Sequence, residues 1–154
     1  MTRAIVCLSV LVILGSGCQA SIPKEENRAN FDKTYKAFYD AFARRDLGHM
    51  KEIWSAEPNV RCIHPGMGVK LGPEAAKKSF EEIFGQYSEL SISPGDLEIK
   101  VGTDMAWVAG TYKYTGKTAK GEPVVTYVWA IDIFERPRPD IWKVVYHQAA
   151  WVTL

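Results

Sequence analysis

The spacing of apolar residues in the first half of the chain predicts three amphipathic helices. In each of them the large apolar side chains recur at intervals of three or four residues, which places them on one face. The first stripe predicts a helix of about 14 residues and consists of Phe31, Tyr35, Phe38 and Phe42. The second follows Asp46, a residue suited to capping a helix, and consists of Leu47, Met50, Ile53 and Trp54. The third follows Gly72-Pro73-Glu74 and consists of Ala76, Phe80, Ile83 and Tyr87.

Beyond Tyr87 the period of the pattern changes to two, which is typical of strands. Turn residues separate four such segments, at residues 97–101, 105–114, 124–135 and 142–152. A smaller hairpin is predicted for Val60–Leu71, because two apolar runs flank a Pro- and Gly-containing turn. Short turns favour an antiparallel meander, and three helices must cover one side of it. The pattern therefore predicts an α+β fold, in which a curved antiparallel sheet wraps three N-terminal helices as a cone with an open mouth.

The first twenty residues have the order of a secretory signal peptide, with Arg3, an apolar run up to Leu14, and then small residues. The run is shorter than the roughly 20 residues of a spanning helix. Gly15-Ser16-Gly17 before Cys18 resembles a bacterial lipoprotein signal, which makes Cys18 the candidate lipidation site; simple cleavage after Ala20 is the alternative. We therefore predict an exported protein of the cell envelope, periplasm or medium, with a signal at 1–20, a polar tether at 21–29 and one domain at 30–154.

Composition and charge narrow the class of protein. With 47% hydrophobic and 24% charged residues the chain is typical of a globular domain. Its net charge of +1, without a run of Lys or Arg, argues against nucleic acid as a partner. Cys7 falls in the signal, so Cys62 is predicted to form no disulfide within the domain. Cys62 is either a buried structural thiol or, because His64 follows two residues later, a nucleophile.

The order helix, helix, hairpin, helix, meander resembles the nuclear transport factor 2-like superfamily and, within it, the SnoaL-like group. The segments that carry the resemblance, between Asn30 and Trp151, are residues 31–42, 45–47, 53–55, 64–66, 71–72, 104–110, 134–136 and 142–147. The resemblance implies the cystatin-like cone. It also implies a function within a group that contains steroid isomerases, polyketide cyclases, dehydratases, epoxide hydrolases, carrier proteins and assembly domains. Relatives tend to carry His and Ser where this chain has Gln148 and Ala150. The one-residue offset of His147 predicts that its side chain points to the opposite face of the sheet.

Asp132 is the residue whose context is most unusual, because it interrupts the apolar segment 124–134. Burial of a lone carboxylate is costly unless it is paired or protonated. One interpretation makes Asp132 an acid or base in the pocket, as in the steroid isomerase relatives, with Tyr35 or Tyr127 as hydrogen-bond donor. The other places Asp132 in solvent on the outer face, or pairs it with Lys143 across the sheet.

The histidines supply the second candidate for catalysis. His64, in the hairpin near the predicted mouth of the cone, is interpreted either as a general base or as a turn residue bonded to the backbone. His49 has polar neighbours, which predicts a solvated surface residue. These scattered histidines show no metal-ligand spacing, so we predict no metal ion, and no motif points to a cofactor.

Aromatic side chains are the candidates for the wall of a ligand pocket. The predicted set is Tyr35, Trp54, Trp107, Tyr127, Trp129 and His147. Large aromatics also occur simply as core residues, and the pattern does not decide which face of the sheet is concave. Apolar residues on both faces of the segment 124–134 predict that the outer face is covered as well, for which a homodimer is the simplest arrangement.

Three functions fit these observations. The first is an exported domain that binds a small apolar or aromatic molecule. The second is an acid/base enzyme of the isomerase, cyclase or dehydratase type, acting on an apolar ligand through Asp132 and His64. The third is a non-catalytic dimerisation or interaction domain, which requires a cone filled by its own side chains.

Overall fold

The computed structural model describes residues 22–152, which form three helices and six strands. The helices are α1 (Lys24–Arg44), α2 (Leu47–Ile53) and α3 (Pro73–Phe84). The strands are β1 (Arg61–Ile63), β2 (Lys70–Leu71), β3 (Tyr87–Val101), β4 (Met105–Thr118), β5 (Pro123–Arg138) and β6 (Ile141–Trp151). The predicted signal at 1–20 and the lipidation of Cys18 lie outside the described residues and stay predictions.

Helix α1 begins at Lys24, within the segment that was predicted to be a tether. Glu25 and Glu26 lie in its first turn, where negative charge interacts favourably with the helix dipole. Asn27 is buried, and its side-chain amide donates a hydrogen bond to the carbonyl of Gly102 at 2.9 Å. This contact ties the first turn of α1 to the sheet. The predicted tether at 21–29 is therefore wrong for residues 24–29, whose polar composition is that of a mostly exposed helical turn.

The helix ends follow local signals in the sequence. Asp46 caps α2 as predicted, because its carboxylate accepts a hydrogen bond from the backbone N–H of His49 at 3.0 Å. Helix α3 begins at Pro73. It ends at Phe84, before Gly85, so Tyr87 is the first residue of β3 and not the last member of the helical stripe.

The six strands form one sheet in the order β2-β1-β6-β5-β4-β3. Strands β3 to β6 form the predicted antiparallel meander. The hairpin of β1 and β2 extends the sheet beyond β6, and β1 runs parallel to β6. The local pattern of apolar and polar residues does not predict this pairing, because β1 and β6 lie far apart in the sequence. The predicted α+β fold, a curved and unclosed sheet around helices, is confirmed.

Alternating burial along β4 and β5 identifies the concave face of the sheet. On β4, Ala106, Val108, Gly110 and Tyr112 are buried, whereas the residues that alternate with them are more exposed. Helix α1 packs into this face with its own aromatic stripe. The rings that meet there are at most 2% exposed and belong to Phe31, Phe38, Phe42, Phe80, Phe134 and Trp142. The interior of the cone is therefore largely filled by the protein's own side chains.

Candidate functional site

Asp132 lies on the concave face of β5 and is fully buried. Its two oxygens accept different hydrogen bonds, Oδ2 from the Tyr39 hydroxyl at 2.7 Å and Oδ1 from His147 Nδ1 at 2.6 Å. The alternatives that placed Asp132 in solvent or against Lys143 are wrong, since the Lys143 ammonium donates to the backbone carbonyl of Glu52. These two donors compensate for the loss of water around the carboxyl group.

His147 is fully buried beside Asp132, although its offset in the sequence predicted the opposite face. The cause is a β-bulge in β6. Adjacent residues of β5 pair with Val144 and Tyr146, which leaves Val145 as an extra residue. The extra residue reverses the alternation of side chains, so that Val144 before the bulge and His147 after it both point inward.

The imidazole of His147 has one nitrogen bound and the other free. A carboxylate only accepts hydrogen bonds, so Nδ1 carries the proton that it donates to Asp132. Nε2 is buried and has no hydrogen-bond partner among the described residues. The ring centroid lies 5.1 Å from that of His64. Within 5.9–6.4 Å are the centroids of Phe38, Phe42 and Phe80. An imidazole held by a carboxylate, with a free nitrogen in apolar surroundings, is suited to general base chemistry.

His64 is 2% exposed and lies in the core, so its predicted position at the mouth of the cone is wrong. Its Nδ1 is 2.8 Å from Ser79 Oγ, and this bond, not one to Asp132, fixes the ring. Burial, followed by the interactions with His147 and Lys70, holds the pKa of His64 well below its ordinary value. The two predicted catalytic residues therefore do not form a pair, and the partner of Asp132 is His147.

The lowered pKa of His64 predicts that the protein loses stability in mild acid. Below about pH 6.5 the unfolded chain binds a proton at His64 that the folded chain does not bind, so stability falls with pH down to the folded pKa. One proton bound by the unfolded chain alone lowers the free energy of unfolding by about 1.4 kcal/mol for each pH unit. We expect His64→Gln, which keeps a partner for Ser79, to flatten the pH dependence of the urea unfolding free energy between about pH 5 and 6.5. His49→Gln removes an exposed imidazole that lies 2.8 Å from the Asp46 carboxylate, and it should not flatten this pH dependence. An unaltered slope in His64→Gln would contradict this assignment.

Cys62 is fully buried beside His64, with Sγ 3.8 Å from Nδ1. Burial raises the pKa of the thiol to about 12. Because the thiolate is the reactive form, the nucleophile interpretation is not supported and Cys62 is a structural thiol.

Tyr39, not Tyr35, is the phenol that bonds to Asp132. The Tyr35 hydroxyl instead lies 3.0 Å from the hydroxyl of Tyr112, and the rings of Tyr39 and Tyr112 stack with centroids 4.5 Å apart. Burial first, and then the charge of Asp132, raises the pKa of both Tyr39 and Tyr112, so both remain O–H donors. Sequence reasoning missed these two residues. The available signal for Tyr39 was its position one helical turn after Tyr35.

Three residues of the predicted pocket wall point away from the interior. Trp107, Tyr127 and Trp129 alternate with the buried residues of β4 and β5 and lie on the outer face, where Trp129 is 41% exposed. The sequence did not separate the faces because both carry large apolar side chains. The members of the predicted wall that face the interior are Tyr35, Trp54 and His147.

Two cavities, formed by different elements, lie near the buried Asp132–His147 pair. One, of about 270 Å³, lies between α2 and α3 and has Trp54 and Phe80 in its wall. The Phe80 ring also packs on His64 at 4.6 Å and on His147 at 6.0 Å, which places it between this cavity and the imidazoles. The second, of about 240 Å³, lies between α1, β3 and β4 and is bordered by Tyr35, Tyr39 and Tyr112. Asp132 and His147 line neither of these two cavities.

Within residues 22–152 no three side chains of His, Cys, Asp or Glu are grouped so that they could hold a metal ion. None of the helices in that range has the length and apolar character needed to cross a membrane.

Comparison with solved structures places this fold among known ones. A candidate dehydratase of the NTF2-like family from Streptomyces avermitilis has a TM-score of 0.74 and 24% identity, over 84% of this chain and 99% of that one. A ketosteroid isomerase-like protein from Erwinia carotovora atroseptica has a TM-score of 0.70 and 14% identity, over 86% and 100%. A hexachlorocyclohexane dehydrochlorinase from Novosphingobium barchaimii has a TM-score of 0.68 and 19% identity, over 82% and 86%.

At the level of sequence, no protein with a curated function matches the chain. The pattern of the SnoaL-like domain family matches residues 32–152. That match extends from the middle of α1 to the end of β6, and so includes all the residues of the buried site. The protein therefore belongs to the SnoaL-like domain family, with the NTF2-like fold.

Proposed function

We propose that this domain binds a small, mainly apolar molecule in its interior and that Asp132 and His147 exchange a proton with it. His147 carries the proposal: its Nδ1 is held by Asp132 at 2.6 Å, and its buried Nε2 has no partner among the described residues. An unsatisfied buried polar atom costs free energy, which a hydrogen bond from a ligand would recover. His147 thereby takes the role for which the sequence favoured His64.

The arrangement supports proton abstraction by His147. Asp132 holds the ring with its proton on Nδ1, so that the Nε2 lone pair is available, and stabilises the imidazolium formed when Nε2 takes a proton. Tyr39 holds the carboxylate from the other side. The names of three proteins with this fold, a candidate dehydratase, a dehydrochlorinase and an isomerase-like protein, describe eliminations or isomerisations, in which a proton leaves carbon. The substrate class is therefore an apolar molecule with a C–H bond next to a leaving group or a carbonyl.

The cavity between α2 and α3 is linked to His147 through Phe80, whose ring borders the cavity and has its centroid 6.0 Å from that of His147. Its wall combines an apolar floor with polar residues, including Lys51, Glu74 and Lys77. Binding next to Nε2 requires the Phe80 ring to move.

Binding to His147 is the first test. We would screen small ketones and chlorinated hydrocarbons against protein labelled with ¹⁵N-histidine, and expect binders to shift the ring nitrogens of His147 but not those of exposed His49. The shift identifies both the ligand class and its position. If nothing shifts His147, the third function, a domain filled by its own side chains, is favoured instead.

Catalysis is tested with the same binders in D₂O. Wild-type protein should accelerate the exchange of the activated C–H for deuterium, and His147→Gln and Asp132→Asn should each lose about 100-fold or more of that rate. His49→Gln is the matched control and should keep it. Binding without exchange would leave a ligand-binding domain without catalysis.

We also propose a homodimer that forms through the outer face of the sheet. Val125 and Trp129 on β5 are 66% and 41% exposed there, with Tyr127 between them on the same face, and Trp107 lies further along this face on β4, opposite Ile133. Exposed large apolar side chains on one face are typical of a protein interface. We expect Trp129→Lys to shift the sedimentation coefficient from dimer to monomer, whereas Val69→Lys, at an equally apolar site that is 57% exposed on the β1–β2 hairpin, should not. Wild-type protein that sediments as a monomer would contradict the proposal.

Export with a lipid on Cys18 completes the proposed function and is supported by the sequence of residues 1–20. Expression with a labelled fatty acid should mark the wild-type chain and not Cys18→Ser. An unlabelled chain that begins at Ser21 would instead support simple cleavage after Ala20.

A further inference from the structure

Two buried residues in the wall of the cavity between α2 and α3 carry donor groups that have no acceptor within residues 22–152. Ser55 is 9% exposed, and its Oγ accepts a hydrogen bond from the backbone N–H of Glu57 at 3.2 Å, which leaves its own hydrogen to be donated. Trp54 is 7% exposed, and its indole Nε1 is buried without a hydrogen-bond partner. Unpaired buried donors cost free energy, which an acceptor on a bound molecule would recover.

The charges around this cavity favour an anion. Lys51 and Lys77 contribute ammonium groups to the wall, and Glu74 contributes a carboxylate. The Lys77 ammonium already lies 3.6 Å from the carboxylate of Glu81. Lys51 makes no ion pair with any residue that the structure describes. Glu74 is exposed, so its carboxylate can turn to water. An anionic group in the cavity would therefore meet the unpaired positive charge of Lys51.

The remainder of the wall is mainly apolar. Leu47 and Met50 of α2 and Phe80 of α3 contribute to it, together with the ring of Trp54. The volume of about 270 Å³ corresponds to about nine water molecules at ~30 Å³ each, which is room for one ring with a short side chain. An apolar wall with a few polar groups that fix the orientation of the ligand is typical of small-molecule sites.

We propose that this cavity binds an aromatic or alicyclic carboxylate, with its charged end at Lys51 and Ser55 and its ring against Trp54 and Phe80. A carboxylate only accepts hydrogen bonds, and its two oxygens can take both the ammonium and the hydroxyl as donors. Hydrogen bonds to an ionised group are also stronger than those between neutral groups. This assignment deepens the proposed function and rests on it for the reaction. The substrate is then an acid that keeps its charge at the surface and turns its apolar end towards Phe80 and His147.

Phenylacetate and phenylacetamide test the charge of the ligand, because they have nearly the same shape and only the first is an anion at neutral pH. We would titrate each compound into protein labelled with ¹⁵N-tryptophan and follow the indole N–H signal of Trp54 by NMR. Wild-type protein should bind phenylacetate at least about tenfold more tightly than phenylacetamide. Equal affinities, or no saturable shift of Trp54 with either compound, would overturn the proposal.

Replacing Lys51 tests where the carboxylate lies. Lys51→Gln should lower the affinity for phenylacetate by about threefold to fivefold and leave that for phenylacetamide unchanged. A variant that only disturbed the wall would weaken the binding of both compounds. Lys78→Gln is the matched control, because Lys78 is exposed on α3 and does not line the cavity. Equal affinity for phenylacetate in Lys51→Gln and Lys78→Gln contradicts the assignment.

The failure of this site and the failure of the proposed function give different results, because proton exchange is detected at His147 and carboxylate binding at Trp54. If phenylacetate binds with the expected dependence on Lys51 and no compound shifts the signals of His147, the carboxylate site stands and the proposed proton exchange fails. If ketones shift His147 but phenylacetate binds no better than phenylacetamide, only the carboxylate site fails.

Discussion

Replacing Asp132 with alanine is expected to lower the free energy of unfolding by about 3–5 kcal/mol. The change removes the acceptor for two donors, the Tyr39 hydroxyl and His147 Nδ1, in an interior where both Asp132 and His147 are 0% exposed. An unpaired buried donor loses the hydrogen bond and cannot regain it from water. Urea unfolding of the two proteins at neutral pH measures the difference.

Two further variants show whether the loss comes from the buried donors. Asp132→Asn keeps one acceptor oxygen but turns an N–H₂ group towards the second donor, so its loss should lie between wild type and Asp132→Ala. Asp140→Ala, in the exposed turn between β5 and β6, should stay within about 0.5 kcal/mol of wild type. A loss below about 1 kcal/mol in Asp132→Ala would show that the carboxyl group is not the anchor of this interior.

Replacing Phe80 with alanine should cost about 3–5 kcal/mol of stability and also open the buried site. Phe80 is 1% exposed and packs against Trp54, His64 and Phe42, so its removal leaves a void that the neighbours fill only in part. That void would join the cavity between α2 and α3 to the space beside His147. We therefore expect benzene to shift the ring signals of His147 in Phe80→Ala and not in wild type.

Phe31→Ala is the matched control for this result. Phe31 is equally buried and packs on Phe134 and Trp142, but it borders neither cavity described above. It should lose a similar amount of stability, and benzene in its void should leave the signals of His147 unchanged. If benzene shifts His147 equally in both variants, or in neither, Phe80 does not separate the cavity from the pair.

The burial of Asp132 was the feature of the site that could best be predicted from the sequence. One acidic residue in the apolar segment 124–134 pointed to a special environment, and the strand period placed it on one definite face. Which face was concave depended on the packing of α1 against β4 and β5, and both faces of β5 carry large apolar residues. Trp107 and Trp129 were therefore assigned to the pocket but lie outside it.

The partners of Asp132 depended on geometry that local patterns do not contain. Tyr35 and Tyr39 are separated by one helical turn, and only the depth at which α1 lies in the cone selects Tyr39. His64 was favoured for its place beside a turn, but the parallel pairing of β1 with β6 carries it into the core. The overall order of helices and strands was predictable because each apolar stripe has to be covered, whatever the contacts within it.

The extra residue in β6 changes which position of the sequence faces Asp132 in the folded protein. Without the extra residue the register of Phe134 with Val144 would continue regularly, and the inward position beside Asp132 would belong to the residue one place earlier, where this chain carries Tyr146. Two chains can therefore present the same imidazole to the same carboxylate although no histidine is shared between their aligned sequences. For this family, an equivalent base has to be searched for by superposing the strands of the structures rather than by aligning the sequences.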